Sequence, residues 1–452
     1  MKKIFILFVM LFMMKVSLFA QKVTWDPFLD SLQAKSINYF LECADKKTGL
    51  VPDRGPVESV ASIAAMGFAL VVYPIACERD IITREEAAER VLNTLEFLYA
   101  SSQNRSREKA TGYEGFYYHF LDMKSGLRTW NCELSTIDTG LLMGGVLFCE
   151  GYFNRDNKNE KRIRELAEIL YKRVNWKWAL NHKNGIWLGW DPDKGFDPLD
   201  WKGYNEAMIL YILALGAPEN SVPKDSWDYW CSTYVWAKYY GQEFISFAPL
   251  FGHQYSHMFV DFRGIQDEFM KKKGIDYFEN SRRAVYSQRA YSIQNPRKFK
   301  DYSENIWGLT ACDGPKDTTL IVNGEKYKFE YYAARGVSVD WSNDDGTIAP
   351  TAAGGSVAFA PEICIPALKA IKEKYGDKVY RSYGFIDAFN PTFITDETPN
   401  GWFDKDYLGI DQGPIIIMIE NLRNGFVWEV MKKNPYITAG LKKAGFTGGW
   451  LK

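Results

Sequence analysis

Two kinds of helical segment alternate along this 452-residue chain, and that alternation limits its folds more than any other feature. Residues 28–46, 84–102, 159–176 and 275–294 each carry a charged face and an apolar stripe, the pattern of a helix buried on one side. Residues 58–77, 136–150, 205–216 and 413–421 are apolar nearly all round, and 255–270 and 351–373 join them less cleanly. A helix that is apolar on every side has to be covered on every side. The outward partner before the last inward helix is expected near 376–388. Six inward helices alternating with outward ones predict an all-α fold, the (α/α)6 toroid of six helical hairpins. One β-prone insertion interrupts the series. In "TTLIVNGEKYKFEYYAARGVSVDW" an Asn323-Gly324 turn separates two alternating runs, which predicts a small β-hairpin.

The first residues read differently. "MKK" precedes an apolar stretch interrupted only by Lys15, and Ala20 stands where the chain turns polar. This predicts a signal peptide over 1–20 and an exported, most naturally periplasmic, chain. Residues 21–452 are then expected to form a single toroid domain. No cysteine lies near that boundary, so a lipid anchor is not expected. No later run approaches the ~20 apolar residues of a membrane span. A net charge of −1 gives no electrostatic case for nucleic acid or anionic lipid. The seven cysteines have no repeated spacing; an odd set lying largely in apolar helices reads as core thiols rather than a disulfide framework.

Aromatic residues make up 16% of the chain, and a packed interior does not account for where they lie. "WLGWDPDKGFDPLDW", "GYEGFYYHF" and "GWFDKDYLG" are polar, glycine-bearing loops. Flat rings stack on sugar faces while carboxylates and amides bond the hydroxyls, so such loops point to a saccharide ligand. The inward helices start at "PDRGPVES", "TWNCELSTID", "DWKGYNE", "FGHQYSH", "NDDGTIAPT" and "YLGIDQGP". In a toroid these starts converge on one mouth, which would gather the acids into a single cleft.

Those acids have bland explanations to overcome. Ser135 and Asp138 have capping-box spacing, and an acid in the first turn suits the helix dipole, so Asp138 is either a cap or a cleft residue. Glu133 lies outside the box. Glu206 opens a helix with no other charge; a partly buried carboxyl there would have the raised pKa that a general acid needs. Asp411 precedes Gly413-Pro414. With the cap expected on Gln412 or Gly413, its side chain is free for the cleft. Asp404, Asp406 and Tyr407 read as surface or subsite residues, and in "GLTACDGP" Thr310 and Asp313 could bond hydroxyls or simply make a turn. His253 and His257 have i, i+4 spacing without the glutamate of a zinc-protease helix, and Asp261 with Arg263 reads as a local ion pair. No phosphate loop, dinucleotide fingerprint or Gly-x-Ser-x-Gly elbow occurs, and no cofactor or metal is expected.

An acidic, aromatic cleft without cofactor motifs suits glycoside hydrolysis by one protonated and one ionised carboxyl. The ordered blocks "CELSTIDTGLLMGG", "GYNEAMILYILALG", "HQYSHMFVDFRG", "NIWGLTACDGP" and "YLGIDQGPIIIMIENLR" resemble the bacterial glucoamylase-like domain of glycoside hydrolase family 144, from roughly Ser36 to Ala444. The resemblance implies an (α/α)6 barrel hydrolysing β-1,2-glucan or its oligosaccharides with inversion, either endo-acting or releasing the disaccharide sophorose. It implies cleft acids at Asp138 and Glu206 with Glu133 beside them; Glu206 is read as the general acid, and Asp411 first and Asp138 second as the base, acting on water directly or through a relay. Trp130, Tyr204, Trp307 and Trp402 would be sugar platforms, and Arg263 and Gln412 hydroxyl donors. Two alternatives remain at this point. One is a non-catalytic glycan-binding protein, although Glu206 and Asp411 are both retained. The other is a different polysaccharide-degrading enzyme, such as a lyase, although the helix starts are acidic rather than basic.

Overall fold

The computed structural model describes residues 25–322 and 324–452; the expected signal peptide lies outside them. Six outer helices are α1 (Pro27–Cys43), α3 (Arg84–Ala100), α5 (Lys158–Arg173), α7 (Asp225–Cys231), α10 (Tyr277–Gln294) and α12 (Pro361–Tyr375). Six inner ones alternate with them: α2 (Ile63–Glu78), α4 (Thr136–Tyr152), α6 (Met208–Gly216), α8 (Tyr255–Phe259), α11 (Pro350–Gly354) and α13 (Gly409–Asn424). Around the ring α2 packs on α4, α4 on α6, α6 on α8, α8 and α11 on α13, and α13 on α2. Gln254 ties α8 to α11, its Nε2 donating to Ala352 O at 3.0 Å. The architecture is the expected helical toroid. Of the shorter helices, α9 (Glu268–Lys273) leads into α10, α14 (Phe426–Met431) packs on α4, α8 and α13, and α15 (Pro435–Lys443) packs on α6.

The composition of α2 explains its place. Every residue from Ile63 to Ala76 is buried, so no side of the helix can face water. Its tightest neighbour is α4, and two glycines set that distance. A Cβ on Gly67 would stand 2.7 Å from Leu141 O, and one on Gly145 would stand 2.1 Å from Gly67 O. Backbone meets backbone there, and alanine at either position would force the pair apart.

Two inward segments are shorter than their apolar patterns suggest. The one expected over 255–270 stops at Phe259, where Val260 turns extended and Asp261 takes both the backbone N and Nε of Arg263. The one expected over 351–373 is two helices in different layers. Pro361 starts α12 at its first position, where its missing N–H is tolerated and the preceding residues cannot continue the ladder. Thus α12, not 376–388, is the outer partner before α13; the later segment is a short 3-10 turn and the pair Tyr380–Arg381/Gly384–Phe385. The predicted hairpin is present, with Thr318–Val322 antiparallel to Glu325–Phe329. All seven cysteines are free.

The connections above the N-terminal ends of the inner helices build the mouth. A five-stranded sheet joins 112–113, 116–118, 134–135, 189–191 and 195–196. Arg54 and Gly55 pair antiparallel with Leu408 and Tyr407, so the start of α2 is joined directly to the start of α13.

Candidate active site

The N-terminal ends of four inner helices meet at a cavity of about 210 Å³ lined by His119, Asp138, Glu206, Phe251, Tyr255, Tyr332 and Asp411 among others. A second cavity of about 400 Å³ shares Phe251 as a wall and continues past Tyr204, Asn205, Phe247, Asp340 and Trp341. Phe251 is thus a wall common to both, and the buried carboxylates Asp138, Glu206 and Asp411 line the smaller cavity.

Each acid arrives by a different local device. Ser135 caps α4 by accepting from Asp138 N at 3.2 Å, and its hydroxyl donates to Asp138 Oδ2. Asp138 therefore belongs to a cap and to the cavity lining at once. Glu206 stands in the turn before α6, not inside the helix. Its carbonyl accepts from Ser256 Oγ at 2.9 Å, and that hydroxyl in turn accepts from Ile209 N at 2.9 Å. Among the described residues its carboxyl makes no hydrogen bond to another side chain. Burial, reinforced by the Asp138 charge, pushes Glu206 up to about 7. Asp411 lies in the first turn of α13, which begins at Gly409 with Pro414 inside it; the cap expected on Gln412 or Gly413 is not there.

Asp411 has a partner that its sequence neighbourhood does not show. Asp387 and Asp411 are buried, and each has one carboxylate oxygen without a hydrogen-bond partner. Burial raises both: Asp387 goes well above the carboxylate range, with the Asp411 charge adding to it, and Asp411 reaches about 7 with the Asp313, Asp53 and Asp404 charges adding to burial, while its hydrogen bond with Asp387 draws it back down. Two acids in one dry site cannot both ionise, so the pair holds a shared proton near neutrality. Asp313 and Asp404 extend the group, one carboxylate oxygen of each coming within 4.8 Å of one from Asp387. Burial and Asp313 push Asp404 up to about 6. The cation that meets this group is Arg54, 2.7 Å from Asp313 and 3.4 Å from Asp406. Asp313 also donates its N–H to Asp387 Oδ2 at 2.7 Å.

Several expected binding residues lie elsewhere. Trp307 is fully buried and offers no face to a sugar. Tyr204 is 4% exposed; its ring packs against Tyr277 and His253, and its hydroxyl lies 3.2 Å from Ser281 Oγ. It forms floor, not platform. Gln412 is buried, puts one amide N–H on Phe385 O at 2.9 Å and lines neither cavity. Trp402 packs on Cys312, Ala349 and Ala388, outside both cavities. Thr310 accepts from Phe251 N at 3.1 Å and so positions that wall. Trp130 stands 65% exposed at the rim beside Phe120, their ring centres 5.3 Å apart. Glu133 is exposed nearby and bonds His119. His253 and His257 are core residues, pushed down by burial to about 4 and about 3.

Arg263 is the plainest displacement. It lies beyond the C-terminal end of α8, gripping Asp261 through Nε and Nη2 at 2.7 and 2.8 Å, with its guanidinium over Trp428. Tyr255, at the other end of the same helix, faces the cavity. Replacing Arg263 by methionine is expected to cost about 1–2 kcal/mol of stability and to leave kcat/KM within about twofold, which a denaturation curve and one kinetic series would check.

The residues that sequence reading missed are His119, Asp53, Arg54, Phe251, Tyr255, Tyr332 and Asp387. Asp387 carried a usable signal, a lone acid in the apolar run "GFIDAF", where an unpaired charge is costly.

Comparison with known proteins agrees with this geometry. Residues 198–435 match the Glycoamylase family model, described as "Putative glucoamylase". The chain is 28% identical over 463 aligned residues to an exo β-1,2-glucooligosaccharide sophorohydrolase (non-reducing end) of Parabacteroides distasonis, covering 95% of this chain and 59% of that protein. It thus spans little more than half the length of that relative. Among solved structures, a Bacteroides uniformis protein carrying the same glucoamylase description is 30% identical with a TM-score of 0.81, covering 96% of this chain and all of that one. The endo-β-1,2-glucanase of Chitinophaga pinensis, in complex with sophorotriose and glucose, is 28% identical with a TM-score of 0.82, covering 95% of this chain and all of that one. The family model covers more than half of the residues and a 30%-identical structure is spanned end to end; the chain belongs to the glucoamylase-like family, of the glycoside hydrolase family 144 type.

Proposed function

We propose that the protein hydrolyses β-1,2-linked glucan or glucooligosaccharides with inversion. The observation that carries this is the placing of Glu206 and Asp411 on one small cavity, both raised to about 7 chiefly by burial, with Asp387 behind Asp411. Glu206, protonated below about pH 7, gives its proton to the glycosidic oxygen as the C–O bond breaks. A water attacks the anomeric carbon from the opposite face, and its proton passes to the ionised member of the aspartate pair. Each turnover therefore leaves Glu206 ionised and the pair doubly protonated, and one proton exchange with solvent restores both. Inversion needs the two carboxyls ~6.5–9.5 Å apart, with room for that water. The larger cavity, with Trp341, Phe247 and Phe251 as apolar surfaces, takes further glucose units. Because residues 334–341 form one of its walls, the arm after the 318–329 hairpin governs how far a chain can extend.

The β-1,2 linkage is drawn from the relatives named above, and product analysis tests it. Incubation with linear β-1,2-glucan is expected to give short β-1,2-oligosaccharides and to leave starch intact. A single disaccharide product would indicate exo action, and a ladder of lengths endo action. Cleavage of starch alone would overturn the linkage. Tight glucan binding without products would overturn hydrolysis itself.

A further inference from the structure

The rim of the cavity holds a charged triad that the reaction above does not use. His119 sits between two short strands, its N–H donated to Glu133 O at 3.0 Å and its C=O accepting Ile63 N at 3.2 Å. Its ring stacks on Phe120 with centres 3.9 Å apart and planes within 13°. That fixed ring presents one nitrogen to each of two acids. Nδ1 lies 2.8 Å from Glu133 Oε1, and Nε2 lies 3.7 Å from Asp138 Oδ2.

We infer that His119 is a positioning residue for the proposed hydrolysis: as an imidazolium it is clamped by Glu133 and holds the Asp138 carboxylate, and its negative charge, beside Glu206. The inference rests on the functional reading above and assigns a role to a group outside the acid–base pair. The geometry favours the charged ring, because an imidazolium bonds Glu133 through Nδ1 and still presents a positive Nε2–H to Asp138 at 3.7 Å, whereas neutral imidazole has a single N–H. The side-chain charges acting on the ring come from Asp138, Glu133 and Asp53, all acidic. Burial pulls His119 down, but these acids outweigh it and raise it to about 9. The ring therefore stands between the two acids, hydrogen-bonded to Glu133 through Nδ1 and in ion-pair range of Asp138 through Nε2.

The chain of effect is short. Asp138 is one of the two causes, after burial, that set Glu206, and Ser135 with His119 fixes where that carboxylate stands. Without the cation, the acids of the cavity take up protons more readily, and Asp138 is free to turn.

The test compares wild type, His119→Asn and His119→Lys on β-1,2-glucan across pH 4.5–9, with kcat and KM separated and melting temperatures recorded. His119→Asn is expected to lower kcat about 10–100-fold with KM within about threefold, and to move the alkaline limb of the kcat profile, set by Glu206, up by about one pH unit. His119→Lys, which keeps a positive charge, is expected to restore the limb and part of kcat. Equal loss in both variants with unmoved limbs means that the ring only fills space, and overturns the inference. Unchanged kcat in His119→Asn overturns it as well. NMR titration of the wild-type histidines gives a readout apart from activity: the His119 ring should stay protonated at pH 8, and a neutral ring at pH 7 overturns the inference. A wild type that turns over no β-1,2-glucan overturns the functional reading, and this role with it; turnover by wild type with unaffected variants overturns this role alone.

Discussion

Replacing Glu206 by glutamine is expected to lower kcat on β-1,2-glucan about 10³-fold while the protein melts no lower than wild type at pH 8. The kinetic half follows from general acid catalysis, worth roughly 10²–10⁴ in rate, or about 4 kcal/mol for three decades. An aryl glycoside, whose leaving group needs no proton, should lose far less. That difference separates a missing acid from a damaged site. The stability half follows from the sign of the linkage. Glu206 titrates near 7 when folded and near 4.5 when unfolded, so between those values the folded state binds the extra proton. Its stability therefore falls as pH rises from about 4.5 to about 7. Glutamine carries no proton to lose, so the variant escapes that penalty at pH 8. The same group gives the wild-type rate its alkaline limb near pH 7, as the acid form disappears.

Asp411→Asn is expected to cut kcat by at least 10³-fold with every substrate, aryl glycosides included, because attack by water needs the base whatever the leaving group. Asp387→Asn should be milder, about 10–100-fold, and should shift the acid limb. Removing Asp387 ends the sharing of one proton between two buried acids and leaves Asp411 to titrate alone. A steady-state pH profile for the two variants checks this. Equal losses for both would mean that the pair acts as one unit; no loss at Asp411 would transfer the base role to Asp138.

The ring of helices was legible because burial on all sides leaves a visible mark in sequence. Residues 63–76 contain no charge, and a helix made of them has nowhere else to go. The acids at helix starts were legible for the same reason: Glu206 is conspicuous in "GYNEAMILYILALG". What stayed hidden depends on contacts between distant segments. His119 meets Asp138 across a strand pair, Arg54 meets Asp313 across 259 positions, and Asp387 meets Asp411 from a loop with no helical pattern. The aromatic platforms were misread where an aromatic residue next to a glycine or acid was taken as exposed. Trp307 and Tyr204 are instead packed against other rings and helices, and composition alone does not distinguish a tryptophan in a wall from one on a ledge. Arg263 was misplaced because α8 has only five residues, so the chain reaches the far side of the ring sooner than its apolar pattern indicates.

The pairing of Arg54–Gly55 with Tyr407–Leu408 joins the first inner helix to the last, and α13 also packs on α1 and α2. A chain emerging from the ribosome completes five of its six hairpins while that seam is still open, with the apolar flank of α2 uncovered. Neither Asp411 nor the strand that seats it exists until the first five hairpins have been made. The ring is therefore a late-closing structure. Its slowest and most aggregation-prone moment should come while the sixth hairpin is being added, and catalytic competence should appear all at once when the seam closes.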